Sequence, residues 1–404
     1  MAIRATRLEV YRTAVPMRAF EHAAAVRTTA EAVLVRADFS DGVVGWGETL
    51  PRPYVTGESL ESVVADLRGV IWPAVRELDF SGRQAEVSAG LKSIPTAADG
   101  RCVNAAACAA ELACVDAHMR RRGLSSPAGL LAAAGGLSRQ GGRIAACVTG
   151  VLGSSDLART RRRLRLMRWY GLGDFKLKLG LGPEADAANL AVVRKRLAKH
   201  LAAGRCTLRV DVNGGWSADE TPARAAELKA MGVCAVEQPV FCPAGELGEL
   251  ARRCELPLIA DESLLTDADA EALLAASAAE CERVWWNVRI SKNGGLVRTG
   301  RMIERAAGAG ATVVLGCMVG ETGILSAAQR RLLQVLGCPV GSAAGGVRFV
   351  EGNYGRWLLG GDVVGRSPRF GYGGRLRVLG GAGLGVEVDP ARVRRWGRLV
   401  TTLA

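Results

Sequence analysis

From about residue 143 to residue 350 the chain alternates short apolar runs with longer segments rich in Ala, Arg, Glu and Leu. The apolar runs predict strands over 144–149, 174–179, 207–212, 235–239, 258–260, 284–290 and 312–318, with a weak one over 347–350. Helical spacing follows the first seven, as in 185–201, 221–231 and 296–307. Repeated strand–helix units mean a parallel sheet, and close to eight of them point to a closed barrel rather than an open sheet. Residues 1–125 have another rhythm. Alternating strands over 3–15 and 32–39, an SDG turn and a third strand ending at Gly47 and Glu48 read as an antiparallel meander. Helices over 58–75 and 103–121 follow, the second with Leu112, Val115 and Met119 on one face. The expected fold is therefore α/β, a modified TIM (β/α)7-8 barrel over 126–356 with an α+β capping domain over 1–125. The Gly-rich tail, 357–404, has strand-like pieces at 376–379 and 385–388 and is expected to fold back on the capping domain.

The composition is compatible with this. A chain of 404 residues, 49% of them apolar, can bury a large core. The N-terminus is charged at once and no run approaches the length of a membrane span, so the expectation is a cytoplasmic protein without membrane partners. Eleven cysteines without CxxC spacing read as reduced, small apolar residues, not as a disulfide framework or a zinc site. The net charge of +13 comes almost wholly from arginine spread through segments such as 158–168 and 391–398, and aromatics are only 5%. A nucleic-acid site would concentrate basic residues and interleave aromatics, so a solvated, Arg-biased surface is the reading.

Single carboxylates end three successive predicted strands: Asp211 in RVDVN, Glu237 in AVEQP and Asp261 in IADES, 26 and 24 residues apart. One such carboxylate is usually a helix cap or an ion-pair partner. Three in register at the active end of a barrel are a ligand set for a hard divalent cation, Mg²⁺ or Mn²⁺, and the three histidines lie elsewhere in the chain. Asn213 shares a face with Asp211 and can bond a metal-bound water or the substrate, and Glu262 is expected to point away from the metal and orient its ligands. Upstream, FKLKLG puts Lys176 and Lys178 on one strand face. A lysine, unlike an arginine, can become a base when burial and a neighbouring cation lower its pKa. Lys178, nearer the C-terminal end of its strand, is the better candidate.

Taken together, these residues resemble the enolase superfamily, in its muconate-lactonizing-enzyme-like (mandelate racemase/muconate lactonizing enzyme) family. The resemblance covers most of the chain: KxK on the second barrel strand, Asp, Glu and Asp on the third to fifth, the VEQP and ADES contexts, NVRISKNGG on the sixth and GLGVEVD near residue 383. It implies a small carboxylate substrate chelating Mg²⁺, removal of its α-proton by Lys178 and a metal-stabilised enediolate. It also implies a homo-oligomer, dimer or octamer. The chain departs from the pattern at strand six, where lysine-based members carry a second catalytic lysine and this chain has Arg289. Arg289 shares a face with Asn287 and Ser291, while Lys292 is one residue out of phase, expected outward or in the loop, with a bulge the route by which it would replace the missing lysine. Arginine can clamp an anion but cannot act as a base near neutral pH. One-base chemistry, cycloisomerisation or β-elimination, is thus favoured over racemisation or epimerisation of an amino-acid derivative or dipeptide. No Asp-x-Asp follows strand eight, where Glu351 stands instead. A catalytically inactive barrel serving as a binding protein is the alternative of another class. Glu321 is either a substrate contact or a helix cap. Substrate choice is expected in two capping-domain loops, 16–28 with Phe20, His22 and Arg27, and 49–57 with Arg52 and Tyr54.

Overall fold

The structure, a computed structural model, describes residues 1–22, 25–135, 143–277, 280–337 and 346–404. Strands β1 (Ala5–His22), β2 (Ala25–Phe39) and β3 (Val44–Thr49) form an antiparallel meander. Its β1–β2 hairpin runs well past the predicted ends and loses register between Pro16 and Phe20, where a residue without an N–H suits a break in the ladder. A short hairpin, β4 (Ala97–Ala98) and β5 (Arg101–Cys102), precedes the helix Asn104–Arg121. That helix lies directly on β3. A Cβ added to Gly45 or Gly47 would sit about 2 Å from the carbonyl oxygens of Ala113 and Ala109, so small residues on both partners permit the contact. A helix over Gln84–Ser93 was not foreseen.

Eight parallel strands follow in sequence order: β6 (Gly150–Leu152), β7 (Asp174–Lys178), β8 (Thr207–Asp211), β9 (Ala235–Glu237), β10 (Leu258–Ala260), β11 (Val284–Val288), β12 (Thr312–Leu315) and β13 (Gly346–Val350). The ring closes through one parallel bridge, Val148 to Val350. β13 is followed by a single helical turn, Gly355–Leu358, so the barrel has seven full strand–helix units and an abbreviated eighth. The first strand begins later than expected. Residues 146–149 spend their hydrogen bonds on the tail and on β13, with Leu376 N bonded to Ala146 O, Val148 N to Gly374 O and Thr149 N to Val350 O. Of the predicted tail strands, 376–379 does not form, the neighbouring Arg375 bridging Cys147, and 385–388 is reduced to the bridge from Val364 to Val388. The Arg-rich segment over 391–398 is helical only as far as Trp396, and β14 (Gly397–Leu403) pairs antiparallel with β1. Among the described residues no two cysteines are joined in a disulfide. No helix among the described residues is long and apolar enough to cross a membrane.

Two buried glutamates tie the meander and its helix to the barrel. Glu48 of β3 accepts from Thr322 N at 2.8 Å and Leu325 N at 3.0 Å, at the start of the helix Gly323–Leu336. Glu111 accepts from Leu296 N at 3.0 Å and Val297 N at 2.8 Å, at the start of Leu296–Gly308. Each carboxylate satisfies amides that have no intrahelical partner and meets the positive end of the helix dipole. Burial raises the Glu111 pKa to about 7, above the ordinary 4.5. The folded chain thus holds this proton more tightly than the unfolded one, a stabilisation complete below pH 4.5 and lost as pH rises through 7. Glu111→Ala should cost about 2–4 kcal/mol, since it strands buried amides. In chemical denaturation the gap between wild type and variant should be wider at pH 5 than at pH 8, and a gap under about 0.5 kcal/mol at both would refute the capping role.

Candidate functional site

Parallel register places the chemistry. Lys176 pairs with Arg209 and Lys178 with Asp211 across β7 and β8, and Asp211 pairs with Glu237 across β8 and β9, so all five side chains point to the barrel interior. Asp261 follows β10, and Gln238 fixes it there. The Gln238 Oε1 accepts from Asp261 N at 2.9 Å and Ser263 N at 3.2 Å, from a backbone with φ of 37°. Gln238 went unnoticed in the sequence because its role depends on that turn.

The three carboxylates are fully buried and each meets cations. Lys178 Nζ lies 2.5 Å from Asp211 Oδ2 and donates to Asn213 Oδ1 at 3.0 Å. Lys176 Nζ lies 3.3 Å from Asp211, 3.1 Å from both oxygens of Glu237 and 2.7 Å from Glu351. Arg289 bonds Asp261 and lies 3.8 Å from Glu237, and Asn287 donates to Glu237 at 2.8 Å. Beneath them Arg209 bonds Glu351 at 3.0 Å and stacks on Phe349. It shares the strand face of Asp211, a signal that an arginine-rich chain conceals. Burial opposes charge on Asp211, but Lys178 and Lys176 overcome it and hold the carboxyl well below the usual range. Burial likewise opposes charge on Lys176, and Glu237, Glu351 and Asp211 outweigh it, raising its pKa above the ordinary lysine value. Glu237 is raised by burial and by Asp211.

Lys292 differs from expectation. The chain turns after β11, and the out-of-phase lysine comes back inward, fully buried, donating to Asp261 O at 2.6 Å, Asp261 Oδ1 at 3.0 Å and Asn287 O at 2.7 Å. It braces Asp261 and does not line the cavity. Glu262 also turns toward the site. It lines the cavity, bonds Asn213 at 3.4 Å, keeps one buried oxygen without a partner, and has a pKa raised to about 7 by burial and Asp211. Thr322, not Glu321, caps the helix after β12. Glu321 lines the cavity, accepts from Met318 N at 2.7 Å, and burial, with Glu48 nearby, raises its pKa to about 8. Phe20, Arg52 and Tyr54 reach the cavity from the capping side, and the His22 side chain lies outside the described residues. Ser291 faces away, bonded to Thr49 and Leu50.

The cavity holds about 640 Å³, with Lys178, Asn213, Glu262 and Arg289 among the residues that line it. As a donor set, Asp211, Glu237 and Asp261 offer oxygens alone, and the unpartnered Glu262 oxygen beside Asn213 adds another acceptor, a chemistry that fits a hard divalent cation. Among the described residues, no three His, Cys, Asp or Glu side chains stand in metal-holding geometry, the amino and guanidinium groups lying between the carboxylates.

The enolase C-terminal domain-like family matches residues 159–392. The L-Ala-D/L-Glu epimerase of Bacillus subtilis strain 168 is 30% identical over 330 residues, 80% of this chain and 83% of that protein. Muconate cycloisomerase 1 of Pseudomonas putida is 28% identical over 372 residues, 91% of this chain and 90% of that one. The crystal structure of muconate lactonizing enzyme from Pseudomonas fluorescens, complexed with muconolactone, superposes with a TM-score of 0.79 at 25% identity, covering 98% of this chain and 99% of that one. With its barrel, its strand-end carboxylates and these relatives, the chain belongs to the enolase C-terminal domain-like family and is an enolase-superfamily enzyme of the muconate-lactonizing-enzyme-like type.

Proposed function

We propose that this enzyme is a Mg²⁺-dependent isomerase or lyase that removes the α-proton of a small carboxylate with one lysine base, Lys178. The observation that carries the reading is the pairing of cations around the carboxylates. Lys178 and Arg289 both line the cavity, and the other lining amine, Lys176, is held protonated by Glu237, Glu351 and Asp211. Lys178 is the remaining amine that can exchange a proton with a ligand in the cavity. Arg289 cannot accept one and serves to clamp an anion or to stabilise charge as it develops.

Asp211, Glu237 and Asp261 are the residues that would hold the cation, with Lys292 and Gln238 bracing Asp261 from behind. When bound, Mg²⁺ supplies the positive charge that acidifies the α-carbon. Asn213 positions the Lys178 amine through its 3.0 Å contact, and Glu321, with its raised pKa, presents a protonated carboxyl to the cavity at neutral pH. Residues 1–125 cover the site, and with Lys178 as the one cavity amine left to act as a base the favoured outcomes are cycloisomerisation and β-elimination. Epimerisation, the second reading, is favoured by the B. subtilis relative, and it requires a second proton donor that Arg289 does not supply.

Three outcomes follow from this arrangement. Mg²⁺ should raise the thermal midpoint of the wild type, and Asp211→Asn, Glu237→Gln and Asp261→Asn should each abolish that rise; variants that respond as the parent does would overturn the ligand assignment. Lys178→Met should abolish exchange of the α-proton of a turned-over substrate with D₂O, while Arg289→Met lowers turnover but leaves exchange measurable by NMR. Arg289→Lys should not be neutral, because a point charge cannot reproduce the planar fork. A lysine there that raises the rate of α-carbon inversion would show that the residue at this position separates one-base from two-base chemistry. Deuterium at an inverted α-carbon in the wild type itself would sink the one-base reading.

A further inference from the structure

The cavity extends well beyond the reacting centre and crosses the barrel wall. Val151 pairs with Lys176 across β6 and β7, which puts it on the inner face. Its neighbour Gly150 faces outward, where an added Cβ would lie 2.9 Å from Met167 Sδ and 3.1 Å from Phe175 Cδ1. One cavity nevertheless touches Lys176 and Val151 inside and Met167 and Leu172 outside. It passes where β6 and β13 are held by the single Val148 to Val350 bridge and where only one helical turn follows β13. Aromatic residues stand in for the missing helix. Phe370 packs against Tyr354 at 5.1 Å and Tyr170 at 5.9 Å, and Trp357 lies 6.1 Å from Tyr170. The outer mouth leaves apolar surface in water: Leu166 is 52% exposed, Trp169 76% and Trp357 45%, all three lining the same cavity.

We propose that this seam is an apolar channel that receives a hydrocarbon or aryl portion of the substrate, whose carboxylate sits at the polar end beside Lys178 and Arg289. The inference rests on the function proposed above and narrows its substrate class to carboxylates with a long apolar substituent. A volume of about 640 Å³ falls in the range of roughly 300–1,000 Å³ that accommodates drug-sized ligands, far more than a carboxylate and its α-carbon require. Polarity changes along the cavity in the same sense: the lysines, Arg289 and the carboxylates stand at one end, and the seam is walled by Val151, Met167, Leu172 and aromatic rings, with Arg163 beside them donating to Ala19 O at 3.1 Å. A second cationic group on the substrate would meet no carboxylate among the described seam residues and would lose its hydration there.

Calorimetric titration of the wild type, in Mg²⁺, with butanoate, hexanoate, octanoate and decanoate tests this without requiring turnover. Affinity should rise about fourfold per methylene until the channel is filled, the factor that corresponds to about 0.8 kcal/mol for each buried CH₂. Trp357→Ala, at a half-exposed position, and Val151→Trp, which plugs the inner opening, should flatten the gradient at the long end. The gradient should persist in Lys178→Met, because the channel does not depend on the base. A flat series in the wild type, or a gradient that survives in both channel variants, overturns the channel and leaves the proposed chemistry standing. Absence of binding at every length overturns the carboxylate site as well.

Discussion

The barrel interior must keep charge in balance without water. Asp211, Glu237, Asp261 and Glu351 are buried together, and an unpaired carboxylate in such surroundings would be protonated or would unfold its neighbourhood. Lys176, Lys178, Arg209, Arg289 and Lys292 answer them, each reaching at least one carboxylate oxygen. The layers differ in what they can do. Arg209 and Lys176 form a floor, Lys176 held by Glu237, Glu351 and Asp211 together, whereas Lys178 and Arg289 each bond one carboxylate and line the cavity. The same electrostatic requirement that lets the core fold therefore sets the deeply paired cations apart from those at the cavity's polar end.

The capping meander shares in this. Glu111 braces the helix that begins after the Arg289–Lys292 turn, and Glu48 braces the helix that begins after Glu321. The two turns that bring Arg289 and Glu321 to the cavity are thus held by carboxylates from the N-terminal part of the chain. The wall supplied by Phe20, Arg52 and Tyr54 comes from that same part, so its position relative to the barrel helices is set by buried hydrogen bonds and not by loop packing alone.

Much of the barrel was legible because period-two patterns are unambiguous when polar residues interrupt apolar strands, as in FKLKLG and RVDVN. The same rule misplaced Lys292, since strand periodicity ends with Val288 and the following turn rotates the next side chains inward. The first barrel strand was set too early because 144–149 is apolar enough for a strand, yet its partners are a Gly-rich tail and one residue of β13. Gly397–Leu403 escaped notice because basic residues continue the helical composition into it. Gln238 and Arg209 needed coordinates. One acts through a left-handed backbone, and the other is one arginine among many until its contact with Glu351 is seen. The seam between β6 and β13 is a property of closure, which no local pattern encodes.

The pairing of β1 with β14 has a bearing on biosynthesis. Until β14 is in place, β1 is the outer strand of the meander, with one row of backbone amides and carbonyls open to any passing strand. All eight barrel strands lie between the two in sequence, so a growing polypeptide leaves the ribosome with this edge bare while the whole barrel is being made. The early meander is then a surface that nascent-chain chaperones have reason to shield, and it is sealed only by β14, far along the tail.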